Sequence, residues 1–587
     1  MADFIACLWR PGPIGAIQER QLEDIRAGLE DADRWRLVHE SSGLWVFSPP
    51  TRPIRVRPFE DRPGVIVGDL FSSASDTPLG RAAPDLGHNA DLPAACARLT
   101  RTVWGRYVAI FSTPERHEGG VFCGPVGGLE CVAARRGSIA IAASRLPNAV
   151  LTLLTPALSI DWPRLANLAA DTSGIGWSAP LIGVANLAPG SLWRWTSNGE
   201  REDLIWRPGD FARRRWNKGD PAPILERRID SCVQALSNLH TPILAELSGG
   251  LDSAIVGASL IRAGADVRRW VNFYTSERTG DERRYARVVA DKLGIALTEE
   301  VKTAWTFDPN RLAEVSEGFR PSLNGLDAPY DMRMAAIATG ADARAIFTGQ
   351  GGDILFYGMS TPLLAVDHVR RKGLAGLVSP FLLSLARRRR QSIWSLARTA
   401  LAGRFSSPGR AETALAHPWL RDDLSDLPPA KRWQLEQLVY CLRFFGSSRR
   451  ARAAELIHPL LSQPIVELCL SVPADMLVEG GRDRGLARRA FAGRLPFAVT
   501  DRRSKGDLTG FYGAAIARAL PELRGTLIEG CLVAHGVLDA RALGDKLDLD
   551  QLAVHGRHGD VMALAALEVW ALCWQGRLDR ARLARHR

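Results

Sequence analysis

The sequence feature that most constrains the fold is the stretch at residues 243–264, which reads ILAELSGGLDSAIVGASLIRAG. The apolar run at 243–247, bounded by Pro242, predicts a short buried strand. The glycines at 249 and 250 allow the backbone to turn tightly and to approach an anion. A helix predicted at 253–262 and ended by Gly264 would point its free amide groups and positive dipole end at this loop. This order predicts a phosphate-binding cradle.

An acidic residue in this loop indicates a metal ion. Asp252 would repel phosphate unless a divalent cation lay between them. A second glycine-rich loop, TGQGGD at 348–353, follows another apolar run and carries Asp353. Because that loop would bring a second carboxylate to the same ion, we predict Mg²⁺ held by Asp252 and Asp353, with a nucleoside triphosphate as its ligand.

The SGGLDS string resembles the pyrophosphate loop of the N-type ATP pyrophosphatases, in particular the synthetase domain of the asparagine synthetase family. The 348–353 loop resembles a second element of that family, and a strand predicted at 271–275 would end beside the adenine. The resemblance implies that ATP is attacked at the α-phosphate and that pyrophosphate leaves. The expected ATP-binding residues are Leu247, Ser248, Gly249, Gly250, Asp252, Ser253, Thr275, Thr348 and Gly349.

The second loop departs from the family pattern at two positions. The usual glutamate after the aspartate is Ile354, and a position that carries glutamate or tyrosine in relatives is Gln350. An amide cannot act as a general base at neutral pH, so another group must deprotonate the incoming amine.

Three further residues are candidates for catalysis. Glu455, in a run predicted to be helical, matches a glutamate that orients a base in relatives; burial would favour its protonated form, although a partnered structural acid fits equally well. Lys505 matches the synthetase lysine of the family, and Arg503 flanks it. Both cations could neutralise the charge that builds on the α-phosphate and on pyrophosphate.

Residues 1–215 read as short strands separated by turns. Segments at 64–72, 103–112 and 124–144 resemble the N-terminal glutaminase domain of asparagine synthetases, which implies an αββα fold of the N-terminal-nucleophile type. The family's nucleophile is a cysteine at position 2, where this chain has Ala2, and Cys7 could replace it only after cleavage before it. We therefore expect an α/β chain with a degenerate amidotransferase-like domain at 1–215, a linker at 206–223, and an ATP-dependent synthetase domain with a parallel sheet at 216–587.

Composition excludes several classes of protein. The chain lacks a signal-like N-terminus and an apolar run long enough to span a membrane, which predicts a cytoplasmic protein. Nine cysteines without a C-x-x-C pair argue against a disulfide framework or a zinc site.

A basic insertion is predicted at 361–410, where ten basic residues face one acid, Asp367. The segment could be a solvated helical insertion or a docking surface for a peptide or partner protein. Nucleic acid is disfavoured because the segment lacks the pattern of interleaved aromatic residues that stacks single-stranded bases and contains no recognisable nucleic-acid module.

These features predict an AMP-forming amide ligase without its own ammonia supply. In the family, this combination resembles β-lactam synthetases and, more closely, the macrolactam synthetases of lasso peptide biosynthesis. The resemblance implies that an Asp or Glu side chain of a leaderless core peptide is adenylated and attacked by the peptide's own N-terminal amine. It also implies a leader peptidase and a leader-binding protein as partners.

Three alternatives stay open. They are an ammonia-dependent or β-lactam-type synthetase acting on a small amino acid, an inactive scaffold or peptide-binding module, and a tRNA-modifying enzyme. The sequence leaves the peptide, the ring size, the base and the oligomeric state open.

Overall fold

The structure is a computed structural model of the 587-residue chain. It describes residues 3–9, 16–32, 34–80, 83–87, 90–113, 118–196, 199–277, 280–358, 360–403, 416–503, 506, 508–548, 552 and 558–585. Within these residues, no helix combines the length and the apolar character needed to cross a membrane.

The N-terminal part contains two antiparallel sheets. The strands are β1 (Ile5–Leu8), β2 (Arg36–Ser41), β3 (Leu44–Ser48), β4 (Val56–Pro58), β5 (Gly64–Ser72), β6 (Val103–Thr113), β7 (Glu118–Cys123), β8 (Val132–Arg136), β9 (Ile139–Ala143), β10 (Ser159–Ile160), β11 (Leu181–Ile182), β12 (Ala185–Asn186), β13 (Ser191–Thr196) and β14 (Gly199–Leu204). One sheet has the order β12-β8-β9-β1-β3-β2 and the other β14-β13-β7-β6-β5-β4, while β10 and β11 form a separate pair.

Side chains along each strand point alternately to the two faces of the sheet, and this explains how the two sheets share a core. In β5, Val65 and Val67 belong to the core shared with the first sheet, whereas Ile66 belongs to the core on the outer face. Successive strand residues point to opposite faces, so one apolar strand serves two layers.

Helices cover both outer faces of the paired sheets. The helices of this part are α1 (Ala16–Ala27), α2 (Leu92–Thr102), α3 (Asn148–Leu154), α4 (Trp162–Ala170) and α5 (Pro208–Ala212). Helix α2 covers the β5–β6 sheet, and α1, α3 and α4 cover the other. The layers therefore follow the expected αββα order.

The C-terminal part is built on a parallel sheet. Its strands are β15 (Ile243–Glu246), β16 (Val267–Tyr274), β17 (Leu297–Val301), β18 (Ala345–Phe347) and β19 (Glu455–Ile457), in the order β17-β16-β15-β18-β19. The chain runs outward from β15 through β16 to β17 and returns to the other side of β15 with β18. The crevice between the carboxyl ends of β15 and β18 is therefore the point at which strand order reverses, where ligands bind in open α/β sheets.

The helices of this part pack on both faces of the sheet and extend beyond it. They are α6 (Pro221–Leu239), α7 (Leu251–Arg262), α8 (Arg283–Leu293), α9 (Pro309–Ala313), α10 (Ala328–Gly340), α11 (Gly352–Leu355), α12 (Leu363–Lys372), α13 (Pro380–Arg389), α14 (Ile393–Ala402), α15 (Pro429–Tyr440), α16 (Arg449–Ala453), α17 (Gln463–Ser471), α18 (Ala474–Leu477), α19 (Gly485–Ala490), α20 (Phe497–Thr500), α21 (Thr509–Arg518), α22 (Leu520–Ile528), α23 (Cys531–Ala534), α24 (Ala540–Lys546) and α25 (His558–Arg585).

Two expectations about local structure are corrected. The predicted linker at 206–223 contains α5, and its Trp206 and Phe211 are buried in the core that also covers the parallel sheet. Glu455 opens a strand and not a helix, because residues 455–457 pair in parallel with β18.

Candidate functional site

The predicted phosphate loop joins β15 to α7. Gly249 has φ +82°, and a side chain there would meet the carbonyl oxygen of Glu282 at 2.8 Å, so the position requires glycine. The hydroxyl oxygens of Ser248 and Ser253 lie 2.9 Å apart and tie the two ends of the loop together. Asn272 donates to the carbonyl oxygen of Leu247 at 2.7 Å and holds the loop against β16.

Helix α7 presents uncapped amide groups to this loop. Its N-cap is Gly250, and no side chain accepts a hydrogen bond from the first turn. The first amide groups of a helix have no partner within the helix, and the dipole adds positive potential there. The N-terminus of this 12-residue helix is therefore suited to bind an anion.

The second glycine-rich loop packs directly on the first. A side chain at Gly349 would lie 2.5 Å from the amide nitrogen of Ser253, and one at Gly352 would lie 2.5 Å from Cγ of Asp252. Gly351 has φ +93° and starts α11, which carries Asp353. The glycines are therefore what allow the two loops to meet.

The two predicted metal ligands meet at one cation of the protein. Arg484 donates from Nη1 to Asp252 at 3.1 Å and to Asp353 at 2.7 Å. Burial lowers the pKa of Arg484, but the combined effect of Asp252, Asp353 and Asp483 is larger and raises the pKa above its usual value. The guanidinium is therefore held protonated. Two carboxylates that converge on one nitrogen form the kind of oxygen-rich pair that Mg²⁺ takes as protein ligands, so Asp252 and Asp353 fit the predicted ion.

Three arginines and two glutamates complete the wall of the cavity between the loops. The cavity has a volume of about 180 Å³. Its lining residues are Glu246, Ser248, Gly250, Leu251, Asp252, Ser253, Glu282, Gly349, Gln350, Asp353, Arg484, Arg488, Val499 and Arg502. Arg502 donates to Glu282 at 2.5 Å and to the carbonyl oxygen of Gly249 at 3.3 Å. Anion-binding amides, fixed guanidinium groups and a carboxylate pair therefore surround one space, which suits a metal-bound polyphosphate.

Thr348 is the first residue of the second loop, and its side chain is paired with a histidine. Its Oγ1 is 2.7 Å from Nδ1 of His458, and the other ring nitrogen lies 3.2 Å from the carbonyl oxygen of Phe444. Burial lowers the pKa of His458 to about 4, so the ring is neutral near pH 7. A proton on Nε2 would satisfy Phe444 and leave Nδ1 to accept from Thr348.

The predicted ATP residues fall into two groups. Ser248, Gly250, Asp252, Ser253 and Gly349 line the cavity, whereas Leu247, Gly249, Thr275 and Thr348 stand behind or beside it without lining it. Thr275 follows β16 at the carboxyl edge and is buried, with its hydroxyl donating to the carbonyl oxygen of Glu277 at 3.2 Å.

The structure places Glu455 away from this cavity. It lies at the amino end of β19, next to Ala345 at the start of β18, so it is on the opposite edge of the sheet from the two loops. Arg106 of β6 donates to its carboxylate at 2.7 Å and to Asp69 at 2.6 Å. Burial raises the pKa of Glu455, but Arg106, together with His240 and other nearby positive charge, lowers it more, to about 2. A carboxylate that is paired and this weakly basic does not fit the predicted role of proton acceptor, and it fits the structural alternative.

The predicted cationic loop is only partly described. Lys505 lies outside the described residues. Arg503 is exposed and does not line the cavity. The neighbouring Gly506 donates its amide hydrogen to Glu282 at 2.7 Å, which anchors this segment beside the cavity.

Sequence reasoning missed the arginines that line the cavity. Arg484 and Arg488 belong to a run, RDRGLARR at 482–489, whose repeated arginines were a signal of anion binding. Arg502 is adjacent to the predicted Arg503, so the sequence indicated this loop but not the arginine that lines the cavity. Glu246 and Glu282 gave no signal apart from their positions next to the motif residues.

No cysteine of the chain has the properties of a reactive thiol. Cys7 lies in β1 between β3 and β9, and burial raises the pKa of its thiol to about 12. Burial also raises the thiol pKa of Cys96, Cys123, Cys131, Cys232, Cys441, Cys469, Cys531 and Cys573. In the described residues, no group of three His, Cys, Asp or Glu side chains could hold a metal ion.

The profile of the asparagine synthase family matches residues 225–572, and the chain belongs to that family. The family match assigns the chain to a class of enzyme, the ATP-dependent ligases that form carbon–nitrogen bonds.

Other comparisons add little to this assignment. A search of curated proteins found no match. A solved structure described as that of the allosteric regulatory enzyme of purine biosynthesis is 9% identical, with 52% of this chain and 76% of the other covered and a TM-score of 0.20.

Proposed function

We propose that this chain activates a carboxylate of a leaderless precursor peptide with ATP and closes the peptide into a lasso macrolactam. In the first step an Asp or Glu side-chain oxygen of the peptide attacks the α-phosphorus of ATP and pyrophosphate leaves. In the second the peptide's N-terminal amine attacks the acyl carbon, the carbon–oxygen bond to AMP breaks, and the amine loses a proton.

The observation that supports adenylation is the meeting of both glycine-rich loops and three arginines around one cavity. The amides of α7 and the guanidinium groups of Arg484, Arg488 and Arg502 would bind the phosphates, and Asp252 and Asp353 would hold Mg²⁺. When bound, the ion would neutralise charge on the phosphate oxygens. Lys505 keeps its predicted role at the α-phosphate.

An internal amine as the acceptor is supported by the cysteines. Hydrolysis of glutamine by the family route needs a reactive thiol, and burial raises the pKa of each thiol here. Without its own ammonia source, the chain must take its amine from the substrate or from solution. Holding the N-terminal amine next to the activated side chain of the same peptide would supply the proximity that a macrolactam requires.

A small amino acid is the second candidate substrate. The small volume of the described cavity, about 180 Å³, favours it, because a small acceptor needs less room beside the nucleotide than a folded peptide does.

The test is substrate-dependent release of AMP and pyrophosphate with Mg²⁺-ATP. Synthetic leaderless peptides are compared with aspartate plus ammonia, with a leader peptidase and a leader-binding protein supplied as expected partners. Peptide-dependent AMP together with a peptide product lighter by one water supports the proposal, and Lys505→Ala should abolish both. AMP formed only with the amino acid would move the assignment to the second candidate. If no substrate released AMP and pyrophosphate, both candidate functions would be overturned.

A further inference from the structure

Five large apolar side chains are exposed in the described part of the basic insertion, and four of them, all except Leu383, are at least 60% exposed. Leu374 and Val378 belong to a 3-10 helix at Gly373–Val378 and are 72% and 86% exposed. Trp394 and Leu401 belong to α14 and are 76% and 60% exposed. Such a group of exposed apolar side chains on one segment marks an interaction site more often than a solvated surface.

The same segment is strongly positive. Within residues 360–403, seven arginines and Lys372 face one acid, Asp367, and that acid is buried. Arg387, Arg390 and Arg398 are exposed, and in the described part of the chain no carboxylate pairs with them. We call these three arginines, with Leu374, Val378, Trp394 and Leu401, the basic apolar surface.

Helix α14 shows that the exposure is a feature of the sequence pattern. Leu396 and Ala400 point into the core of the synthetase part. Trp394, Arg398 and Leu401 follow each other at spacings of four and three residues, so they form one stripe on the outer face. This stripe mixes charge with apolar area.

The surface is connected to the ATP cavity by ion pairs. Arg388 of α13 pairs with Asp483 at 2.7 Å, and Asp483 pairs with Arg484 at 3.0 Å. Arg484 in turn bridges Asp252 and Asp353. A molecule bound on α13 and α14 would therefore contact an element that is directly linked to the cation-binding acids.

We propose that the basic apolar surface docks an acidic amphipathic helix of a partner protein. Arginine forks pair with carboxylates through two hydrogen bonds, and Trp and Arg are the residues that dominate binding energy at protein interfaces. A helix that lies on a membrane separates its apolar face from its cations, whereas α14 places Arg398 between Trp394 and Leu401. Trp394 is the one aromatic residue of the surface, which disfavours stacking on single-stranded nucleic acid. The proposal holds whichever amide the enzyme forms.

The test uses the full chain and a fluorescein-labelled amphipathic helix of leucine and glutamate as the probe. A counterpart with glutamine in place of glutamate and vesicles of phosphatidylglycerol and phosphatidylcholine are the comparison ligands. Two variants remove the surface: Trp394→Ala with Leu401→Ala, and Arg387→Gln with Arg390→Gln and Arg398→Gln. The matched control carries Leu572→Ala and Leu583→Ala, since these exposed leucines lie on α25.

We expect saturable binding of the acidic helix in anisotropy titrations, weakened at least about 10-fold in both surface variants and unchanged in the control. The melting temperature of every variant should match that of the unchanged chain, because the altered side chains are exposed. No saturable binding, equal binding of the glutamine counterpart, or unchanged binding by the surface variants would each overturn the proposal. Binding to vesicles alone would replace it with a membrane-binding surface.

Discussion

Arg484 acts as a built-in counter-cation for the two acids of the site. A guanidinium that bridges Asp252 and Asp353 offsets their repulsion in the absence of a ligand. With Mg²⁺ bound to the two acids, the same guanidinium would be available to pair with the phosphates of ATP, because it lines the cavity. One residue can thus stabilise both the empty and the occupied site.

The first prediction concerns Asp353. The substitution Asp353→Asn removes one of the two charged oxygen ligands, so the affinity for Mg²⁺-ATP should fall by roughly 10- to 100-fold. Isothermal titration of ATP at several Mg²⁺ concentrations measures the change. Asp266→Asn is the control, because Asp266 is half-exposed and pairs with Arg268 at the surface. Equal affinities for the two variants would argue against the acid pair as the metal site.

The second prediction concerns the closeness of the two loops. In Gly352→Ala the new methyl group would lie 2.5 Å from Cγ of Asp252, so either the loop or the carboxylate must move. We expect a loss of about 1–3 kcal/mol in the free energy of unfolding and weaker ATP binding. Gly340→Ala at the end of α10 is the matched control, since nothing lies within 4 Å of the added carbon. A Gly352→Ala chain with unchanged melting temperature and ATP affinity would show that the loops do not meet this closely.

At the scale of residues, the sequence could predict what is local. The phosphate loop and both aspartates lie within strings whose spacing sets their geometry. Arg484, Arg488 and Arg502 reach the cavity from segments at least 232 residues after Asp252 and at least 131 residues after Asp353, and only the packing of α19 and of residues 501–503 brings them there. An isolated sequence carries no local signal for that distance.

The element that most clearly joins the two parts of the molecule is β19. Its first residue, Glu455, pairs with Arg106 of β6, while its backbone extends the parallel sheet. The predicted helix at this place was wrong because a three-residue strand at a sheet edge is decided by its neighbour β18 and not by apolar spacing.

The third prediction follows from this pair. The pKa of Glu455 is about 2 in the folded chain, below the ordinary value of 4.5, so its stabilising contribution is complete above pH 4.5 and is lost as the pH falls towards 2. Glu455→Gln should cost about 3–5 kcal/mol at pH 7, because it leaves the buried Arg106 with one partner fewer. The difference in melting temperature between the two proteins should shrink between pH 4.5 and pH 2.

Glu479→Gln is the comparison for this experiment. Glu479 pairs with Arg489 at the surface, with both side chains nearly half-exposed, so its loss should cost less than about 1 kcal/mol. If the two variants lost the same free energy of unfolding at pH 7, this would contradict a buried, stabilising ion pair between β19 and β6.

At the scale of the molecule, the hydrophobic cores do not follow the boundary expected at residue 215. Phe71, Trp104 and Trp206 share a core with Leu225 and with the helices of the parallel sheet. The helix α25 packs in the same core as β1, β9 and α3 of the N-terminal part. Sequence patterns indicated two kinds of architecture correctly, but they could not show that the architectures share buried surface.

The fourth prediction is that the two parts do not fold separately. A fragment of residues 225–572, the span matched by the family profile, would expose the apolar faces that normally cover Trp206 and the N-terminal sheet. We expect it to aggregate or to lack a cooperative thermal transition, whereas the full chain should melt in one transition. Size-exclusion chromatography and circular dichroism measure both. A monomeric fragment that melts cooperatively would contradict this expectation.

The position of α25 also has a consequence for synthesis on the ribosome. Helix α3 ends at Leu154, yet α25, which packs against it, begins at His558. At typical elongation rates, roughly 20 to 80 seconds pass between the two. During this interval the apolar side of α3 that α25 covers is exposed, so a chaperone that shields nascent chains should be associated with this protein until α25 emerges.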